Sequence, residues 1–120
     1  MTLYNCKMTE NVESAEVDSS TASYSAHAIY FKQGKMGYVL ITVYCYPASN
    51  IPSGTIIDLG DFPSGFKPAN EILMCVWSRT GTVPALLYTD LPNSNKLSIK
   101  LQAQLDLYGA INYPVPVTYE

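Results

Sequence analysis

The sequence contains few charged residues, and this scarcity excludes several classes of protein. Only 14% of its 120 residues are charged, whereas 48% are hydrophobic. Such a chain folds, because disorder requires low hydrophobicity and a high net charge. The net charge of −3 is carried by the first twenty residues, and the remainder is balanced. No cluster of positive charge is therefore available for nucleic-acid phosphates, and we expect no nucleic-acid partner.

Long apolar runs and cysteines are also scarce. No run reaches the roughly 18 apolar residues of a membrane-spanning helix, and the first twenty residues lack the basic start and apolar stretch of a signal peptide. The three cysteines, Cys6, Cys45 and Cys75, are too few for the disulfide framework of a small secreted domain. Cys45 and Cys75 lie in apolar strand-like runs, where we expect buried free thiols unless their strands are neighbours and the two pair. This usage favours assembly in a reducing cytoplasm, without membrane insertion.

The single histidine restricts the possible chemistry. A zinc site, or a nucleophile activated by histidine, would have to be built around His27. His27 alternates with apolar neighbours at the start of a strand, which is typical of a partly exposed strand residue. Asp58, Asp61 and Glu71 supply carboxyls for a glycosidase pair, but Asp58 and Asp61 flank a turn, where aspartate usually bonds backbone amides. We predict no enzymatic activity, no cofactor and no metal site.

What the sequence does contain is a succession of short β-rich runs. From Tyr24 onward they are separated by Gly, Pro, Asn and Ser about every ten residues, which predicts an all-β fold. The clearest strand spans residues 36–46, where the two faces alternate. The inward set is Val39, Ile41, Val43 and Cys45, and the outward set is Tyr38, Leu40, Thr42, Tyr44 and Tyr46. The first set suits a sandwich core, and the tyrosine-rich set suits a second subunit or a ligand.

The remaining strands complete a sandwich. They are predicted at residues 26–31, 55–59, 72–79, 84–88, 97–103, 105–108 and 115–119. Run 72–79 is almost wholly apolar, which favours a central strand covered on both sides, and Pro114 and Pro116 favour an edge position for the last strand. About eight strands predict an antiparallel, jelly-roll-like β-sandwich over residues 23–120. Residues 1–22 are predicted to be a polar, acidic N-terminal arm or connector, with a short helix over 10–17 as the weaker alternative.

The ten tyrosines are the most unusual feature of the composition. A tyrosine ring stacks on the C–H face of a sugar and its hydroxyl forms hydrogen bonds, so tyrosine-rich β-surfaces suit carbohydrate or protein recognition. We predict a saccharide site at one end of a hairpin that turns at residues 80–82, built from an aromatic pair, a cation and a carboxylate. The predicted ligand-binding residues are Trp77, Arg79, Tyr88 and Asp90. Alternatively, Tyr30, Tyr38 and Phe62 pack the sandwich, and the other tyrosines line subunit contacts.

Three motifs in series are more specific than the composition. They are Phe31-Lys32-Gln33-Gly34, Ile51-Pro52-Ser53-Gly54-Thr55 and Phe62-Pro63-Ser64-Gly65-Phe66-Lys67-Pro68. Over residues 28–119 this series resembles the C-terminal domains of bacteriophage tail-fibre and baseplate receptor-binding proteins. The departures are Phe62 in place of the usual leucine, Lys67 in place of arginine, and residues 91–96 in place of a glycine-centred hairpin. In the third motif, Gly65 permits a tight reversal and the two phenylalanines can close the end of the sandwich.

The resemblance implies a function as well as a fold. It implies a homotrimeric, jelly-roll-like domain in a phage or prophage tail, assembled in the bacterial cytoplasm with other tail or baseplate proteins. Such a domain binds a host surface glycan without turning it over, and three copies strengthen weak saccharide contacts. The motifs lie in the scaffold, so the resemblance implies no particular ligand residues. The alternatives are a purely structural virion or tail assembly protein of the same fold and a non-viral carbohydrate-binding domain.

Overall fold

Within the described residues, the protein forms an eight-stranded antiparallel β-sandwich. The computed structural model describes residues 12–47, 49–89 and 95–120, and no helix in these ranges is long and apolar enough to cross a membrane. The strands are β1 (Glu13–Asp18), β2 (Ser25–Gln33), β3 (Met36–Tyr44), β4 (Ile56–Asp61), β5 (Leu73–Trp77), β6 (Pro84–Thr89), β7 (Lys96–Leu101) and β8 (Ala110–Thr118). One sheet has the order β1-β2-β3-β8 and the other β4-β7-β6-β5. The all-β sandwich expected from the sequence is confirmed.

Each sheet joins a three-strand meander to a fourth strand that arrives by a long connection. β8 lies beside β3, and β4 lies beside β7. The second sheet has the Greek-key order read in reverse, with β4 beside the last of three consecutive strands. The first sheet does not have it, because β8 lies beside β3 and not beside β1. β8 lies at the edge of its sheet, as Pro114 and Pro116 predicted, because proline cannot donate a hydrogen bond to a second neighbouring strand.

The core forms where the alternating apolar faces of the two sheets meet. Val39, Ile41 and Val43 of β3 are fully buried, which confirms the alternation predicted for this strand. In β2, Tyr30 lies directly opposite Val39 and is also fully buried. The facing sheet contributes alternate residues of β7, among them Ile99. Burying a side chain of this size stabilises the fold by about 1.5–3 kcal/mol.

The two Pro-Ser-Gly sequences form the same tight turn. In each, the residue after glycine donates its backbone N–H to the proline carbonyl, from Thr55 to Pro52 and from Phe66 to Pro63. The glycines have φ values of +87° and +86°, as the third position of a type II turn requires. The repeated motif is therefore a structural device.

The second of these turns closes one end of the sandwich. The rings of Phe62 and Phe66 pack against Tyr30, with centroid distances of 6.2 and 6.1 Å. Phe66 also meets the buried ring of Tyr119 edge-on at 5.6 Å. The end-closing role predicted for the two phenylalanines is confirmed.

The N-terminal arm predicted over residues 1–22 is wrong for its described part. Residues 13–18 form β1, which pairs with β2 along its whole length, and residues 1–11 lie outside the described residues. Only Ala15 and Val17 of this strand pack against the core, whereas Glu16 and Asp18 face outward. The two inward positions are too few to outweigh the acidic residues in a sequence pattern.

The prediction of a central strand at residues 72–79 is also wrong. β5 is an edge strand, and its outer positions remain open, with Leu73 71% and Trp77 46% exposed. Cys75 is exposed between them, contrary to the expected burial, whereas Cys45 is buried as predicted and both thiols are free. A run of apolar residues does not distinguish a covered strand from an edge strand whose outer face is apolar.

Residues 105–108 form no strand, contrary to the sequence prediction. Leu105 makes a single bridge to Ile51, and the chain then turns through Leu107 and Tyr108. The buried Leu105 gives this segment its apolar appearance. The turn instead delivers the chain to β8, beside the residues described below.

Candidate functional site

The structure separates the residues that the sequence grouped at one end of the β5–β6 hairpin. Trp77 pairs with Pro84 beside the turn, whereas Tyr88 pairs with Leu73 at the other end of β5. At about 3.4 Å per residue, these two positions are about 14 Å apart along the strand. The expected grouping of Trp77 with Tyr88 is therefore wrong, and Asp90 lies outside the described residues.

Arg79 instead borders two surface cavities, and both are lined by Arg79 and Ala110. The first, of about 440 Å³, lies on the outer face of the β1-β2-β3-β8 sheet, and we call it the sheet cavity. The second, of about 400 Å³, lies between the β5–β6 turn and the segment before β8, and we call it the loop cavity. We call the two together the Arg79 groove.

Cross-strand pairs build the sheet cavity. Ser25 lies opposite Tyr44, and His27 lies opposite Thr42, on neighbouring strands β2 and β3. Their side chains share the outer face of the sheet, because the residues that alternate with them face the core. The cavity therefore combines an aromatic ring, an imidazole and two hydroxyls beside Arg79.

A fixed turn holds Arg79 between the cavities. Its backbone N–H donates to the carbonyl of Ala110 at 2.7 Å, which ties the turn to the first residue of β8. The Ser78 hydroxyl accepts the N–H groups of Thr82 and Val83 at 3.3 and 3.0 Å. These bonds satisfy the backbone inside the turn and fix the position from which the guanidinium extends.

Hydroxyl groups line the loop cavity. Thr80 Oγ1 lies 2.8 Å from Thr82 Oγ1 and 3.3 Å from Ser78 Oγ, so the three hydroxyls form a hydrogen-bonded chain. Across the cavity, Asp106 accepts a hydrogen bond from Gln104 at 2.8 Å. Hydroxyls both donate and accept, and a carboxylate accepts, so this wall can match a polyhydroxylated ligand.

Three tyrosine rings run from one cavity to the other. The centroids of Tyr44 and Tyr46 are 6.1 Å apart, and those of Tyr46 and Tyr108 are 5.7 Å apart. The interplanar angles are 23° and 26°, so the rings are nearly parallel. Tyr44 lines the sheet cavity and Tyr108 lines the loop cavity. We call these three residues the tyrosine stack.

Tyr108 holds an unfavourable backbone conformation. Its φ of +69° lies in the left-handed region, which bulky residues rarely adopt. Two hydrogen bonds hold it there, from Tyr108 N–H to the Cys45 carbonyl at 2.8 Å and from Cys45 N–H to the Gly109 carbonyl at 2.9 Å. Despite this conformation, the side chain is 62% exposed. An exposed aromatic ring on a strained backbone is characteristic of functional loops.

His27 has acidic neighbours on β1. Its Nδ1 lies 3.4 Å from Glu16 Oε2 and 3.7 Å from Asp18 Oδ1, and its side chain is partly exposed, as the sequence predicted. Hydrogen bonds from Ser20 lower the pKa of Asp18. Within the described ranges no group of three or more His, Cys, Asp or Glu side chains is arranged to hold a metal ion.

Asp58, one of the carboxylates considered for a glycosidase pair, has a backbone partner and an ion-pair partner. Asp58 accepts the N–H of Gly60 at 2.7 Å, which is the turn role expected from its sequence context. Its second oxygen meets Lys96 Nζ at 2.9 Å. Burial raises the pKa of Asp58, but these two hydrogen bonds outweigh burial and lower it.

The guanidinium of Arg79 is available to a ligand. It belongs to none of the ion pairs formed within residues 12–47, 49–89 and 95–120. The groove therefore offers stacking surfaces, a guanidinium and hydroxyls in one place. Comparison with protein-family models, curated proteins and solved structures gives no match for this chain.

Proposed function

We propose that the chain is a receptor-binding module of a phage or prophage tail or baseplate, which binds a host cell-surface saccharide in the Arg79 groove without chemical turnover. The observation that carries this proposal is the tyrosine stack beside Arg79. Tyr46 and Tyr108 are 47% and 62% exposed, so apolar ring surface remains in contact with water. Leaving such surface exposed is unfavourable, and a sugar C–H face would cover it.

The polar groups of the groove support a saccharide over a protein segment as the ligand. Ser25 and Thr42 border one end, and Thr80 and Thr82 border the other. Sugar hydroxyls both donate and accept, so they match a wall of protein hydroxyls. Arg79 adds rigid, planar donors that can bond two adjacent sugar oxygens at once.

The resemblance to phage receptor-binding domains supports the viral part of the proposal. The motifs that carry it build the two Pro-Ser-Gly turns and the phenylalanine-closed end of the sandwich. The groove lies on other segments, among them the β5–β6 turn and the segment before β8. A scaffold with a separate ligand surface fits a module whose receptor varies from one protein to another.

The test is binding of the purified chain to cell-envelope preparations from a panel of bacteria. The variants Tyr46→Ala and Arg79→Ala change the groove, and Tyr88→Ala and Lys100→Ala are matched aromatic and cationic controls on the other sheet. We expect the first two to lose at least about tenfold in affinity, equivalent to about 1.4 kcal/mol, and the controls to match the wild type. Failure to bind any preparation, or equal binding by all variants, would overturn the proposal.

A second candidate is a structural tail protein of the same fold, and one observation favours it. Tyr38 and Met36 are 42% and 64% exposed on the outer face of β3, and Phe31 stacks on Tyr38 at 4.8 Å. An apolar surface of this kind is typical of subunit contacts. Light scattering that gives about three times the 13.2 kDa chain mass would support the trimer. A trimer that binds no envelope preparation would favour the structural candidate.

A further inference from the structure

The two ends of the tyrosine stack lie in different cavities. Tyr44 lines the sheet cavity, Tyr108 lines the loop cavity, and Tyr46 stacks between them. A terminal ring of a stack has one face that no other member covers. The groove therefore offers two separate stacking faces, one for each cavity.

Each cavity also has the size and polar groups of a small binding site. The volumes of about 440 and 400 Å³ both lie within the roughly 300–1,000 Å³ of small-molecule sites. Ser25 and Thr42 supply hydroxyls to the sheet cavity, and Thr80 and Thr82 supply them to the loop cavity. Neither cavity depends on the other for its hydrogen-bonding groups.

Arg79 lies where the cavities meet. It lines both of them, and so does Ala110, whose side chain is a single methyl group. The backbone hydrogen bond from Arg79 to Ala110, 2.7 Å long, holds the junction in place. A ligand that passes from one cavity to the other therefore passes Arg79.

We infer that the Arg79 groove takes an internal stretch of a linear glycan, with one sugar ring in each cavity, rather than a single terminal sugar. This inference rests on the proposed saccharide-binding function and specifies the class of ligand. The ring in the sheet cavity stacks on Tyr44 and the ring in the loop cavity stacks on Tyr108. Arg79 bonds sugar oxygens at the linkage between them.

With one sugar ring in each cavity, the affinity of the chain for a glycan depends on the length of the glycan. Linking two weak contacts makes the second one intramolecular, so affinity rises steeply once a ligand reaches both cavities. We expect a gain of at least about tenfold between a monosaccharide and the first oligosaccharide that spans the groove. Further sugar residues beyond that length add little.

The experiment uses oligosaccharides of increasing length, released by partial hydrolysis from the envelope polysaccharide that the wild-type chain binds. Calorimetric titration measures the affinity of each for the wild type and for Thr82→Val and Tyr108→Gly, which alter only the loop cavity. Thr82→Val keeps the shape of the side chain, and Tyr108→Gly suits the backbone at φ +69°. Both should remove the gain with length, so that the spanning oligosaccharide binds each variant no more tightly than the monosaccharide does.

Two results would overturn the inference, and they differ in what else they affect. Binding that is independent of length, and unaffected by both loop-cavity variants, would contradict a two-ring site while leaving saccharide binding intact. Absence of binding to any envelope polysaccharide would overturn the proposed function and this inference together. A tenfold gain that both variants remove would support the two-ring site.

Discussion

The ring of Tyr46 lies 5.7 Å from the ring of Tyr108 and within 26° of parallel. Tyr46 follows the end of β3, and Tyr108 precedes β8, so the two residues are distant in sequence. Backbone hydrogen bonds between Cys45 and the Tyr108–Gly109 segment bring the two rings together. The central part of the proposed site therefore depends on the pairing of two loops.

The backbone at Tyr108 allows stability and binding to be separated. Tyr108→Gly relieves the left-handed conformation, so we expect the free energy of unfolding to rise by up to about 1 kcal/mol or stay unchanged. Tyr108→Ala removes the same ring but keeps the strain, so it should be less stable than the glycine variant. Urea denaturation measures both. A glycine variant less stable than the alanine variant would show that this conformation is not strained.

Tyr30 carries a buried hydroxyl whose removal should not destabilise the fold. Its Oη is buried and has no hydrogen-bond partner among the described residues. Tyr30→Phe removes this polar atom and keeps the ring contacts with Phe62 and Phe66, so the free energy of unfolding should stay equal or rise by about 1 kcal/mol. Tyr30→Ala should lower it by about 3–5 kcal/mol. A loss above about 1 kcal/mol in the phenylalanine variant would show that the hydroxyl is satisfied.

The burial of Tyr30 and Tyr119 should make the fold less stable at alkaline pH. Burial raises the pKa of Tyr30, with a further rise from nearby Tyr119, and burial raises the pKa of Tyr119 to about 12. Unfolded tyrosines ionise near 10, so this stability is fully present below pH 10 and falls as the pH rises above it. The slope is up to about 1.4 kcal/mol per pH unit for each tyrosine.

Denaturation midpoints measured across this alkaline range check the prediction. Tyr30→Phe should show a smaller slope than the wild type, because it removes one of the two buried phenols whose pKa is raised by folding. Stability that stays constant to about pH 11.5 would contradict the burial of both hydroxyls.

Gly60 tests whether β1 belongs to the sandwich. Gly60 has a φ of +85°, and a Cβ there would lie 2.5 Å from Val17 Cγ1 and 2.9 Å from Ser19 Oγ. Gly60→Ala should therefore displace β1 and destabilise the fold by about 2–4 kcal/mol. Gly34→Ala is the control, because Gly34 has a φ of +66° with open space around it and should cost only about 1–2 kcal/mol. Equal losses in the two variants would contradict the packing of β1 against β4.

Much of the fold could be predicted from the sequence, because alternation reports directly which face of a strand is buried. Val39, Ile41 and Val43 alternate with an outward set that includes Tyr38, Thr42 and Tyr44, so β3 was predicted correctly. β1 was missed because only Ala15 and Val17 mark its inner face. The alternation of residues does not show the order of the strands in a sheet. The exposed outer face of β5 was therefore assigned to the core.

The candidate site was less predictable, because it combines residues that are distant in sequence. The sequence singled out Arg79 but assigned it neighbours from its own hairpin. Partners within one hairpin are the only spatial neighbours that a local sequence pattern can predict. Register then separated Trp77 from Tyr88. Tyr44 was noted as part of an exposed tyrosine face, but nothing in the sequence connected it with Tyr108. The long-range pairing of loops, rather than any motif, brings these groups to Arg79.

The most direct test of the saccharide site is chemical-shift mapping of the ¹⁵N-labelled chain during titration with an oligosaccharide from the envelope that it binds. We expect the largest shifts at the amides of Tyr44, Arg79 and Tyr108, on both sides of the groove. Shifts confined to the outer face of the other sheet, around Trp77 and Tyr88, would contradict this expectation, and so would a spectrum that does not change.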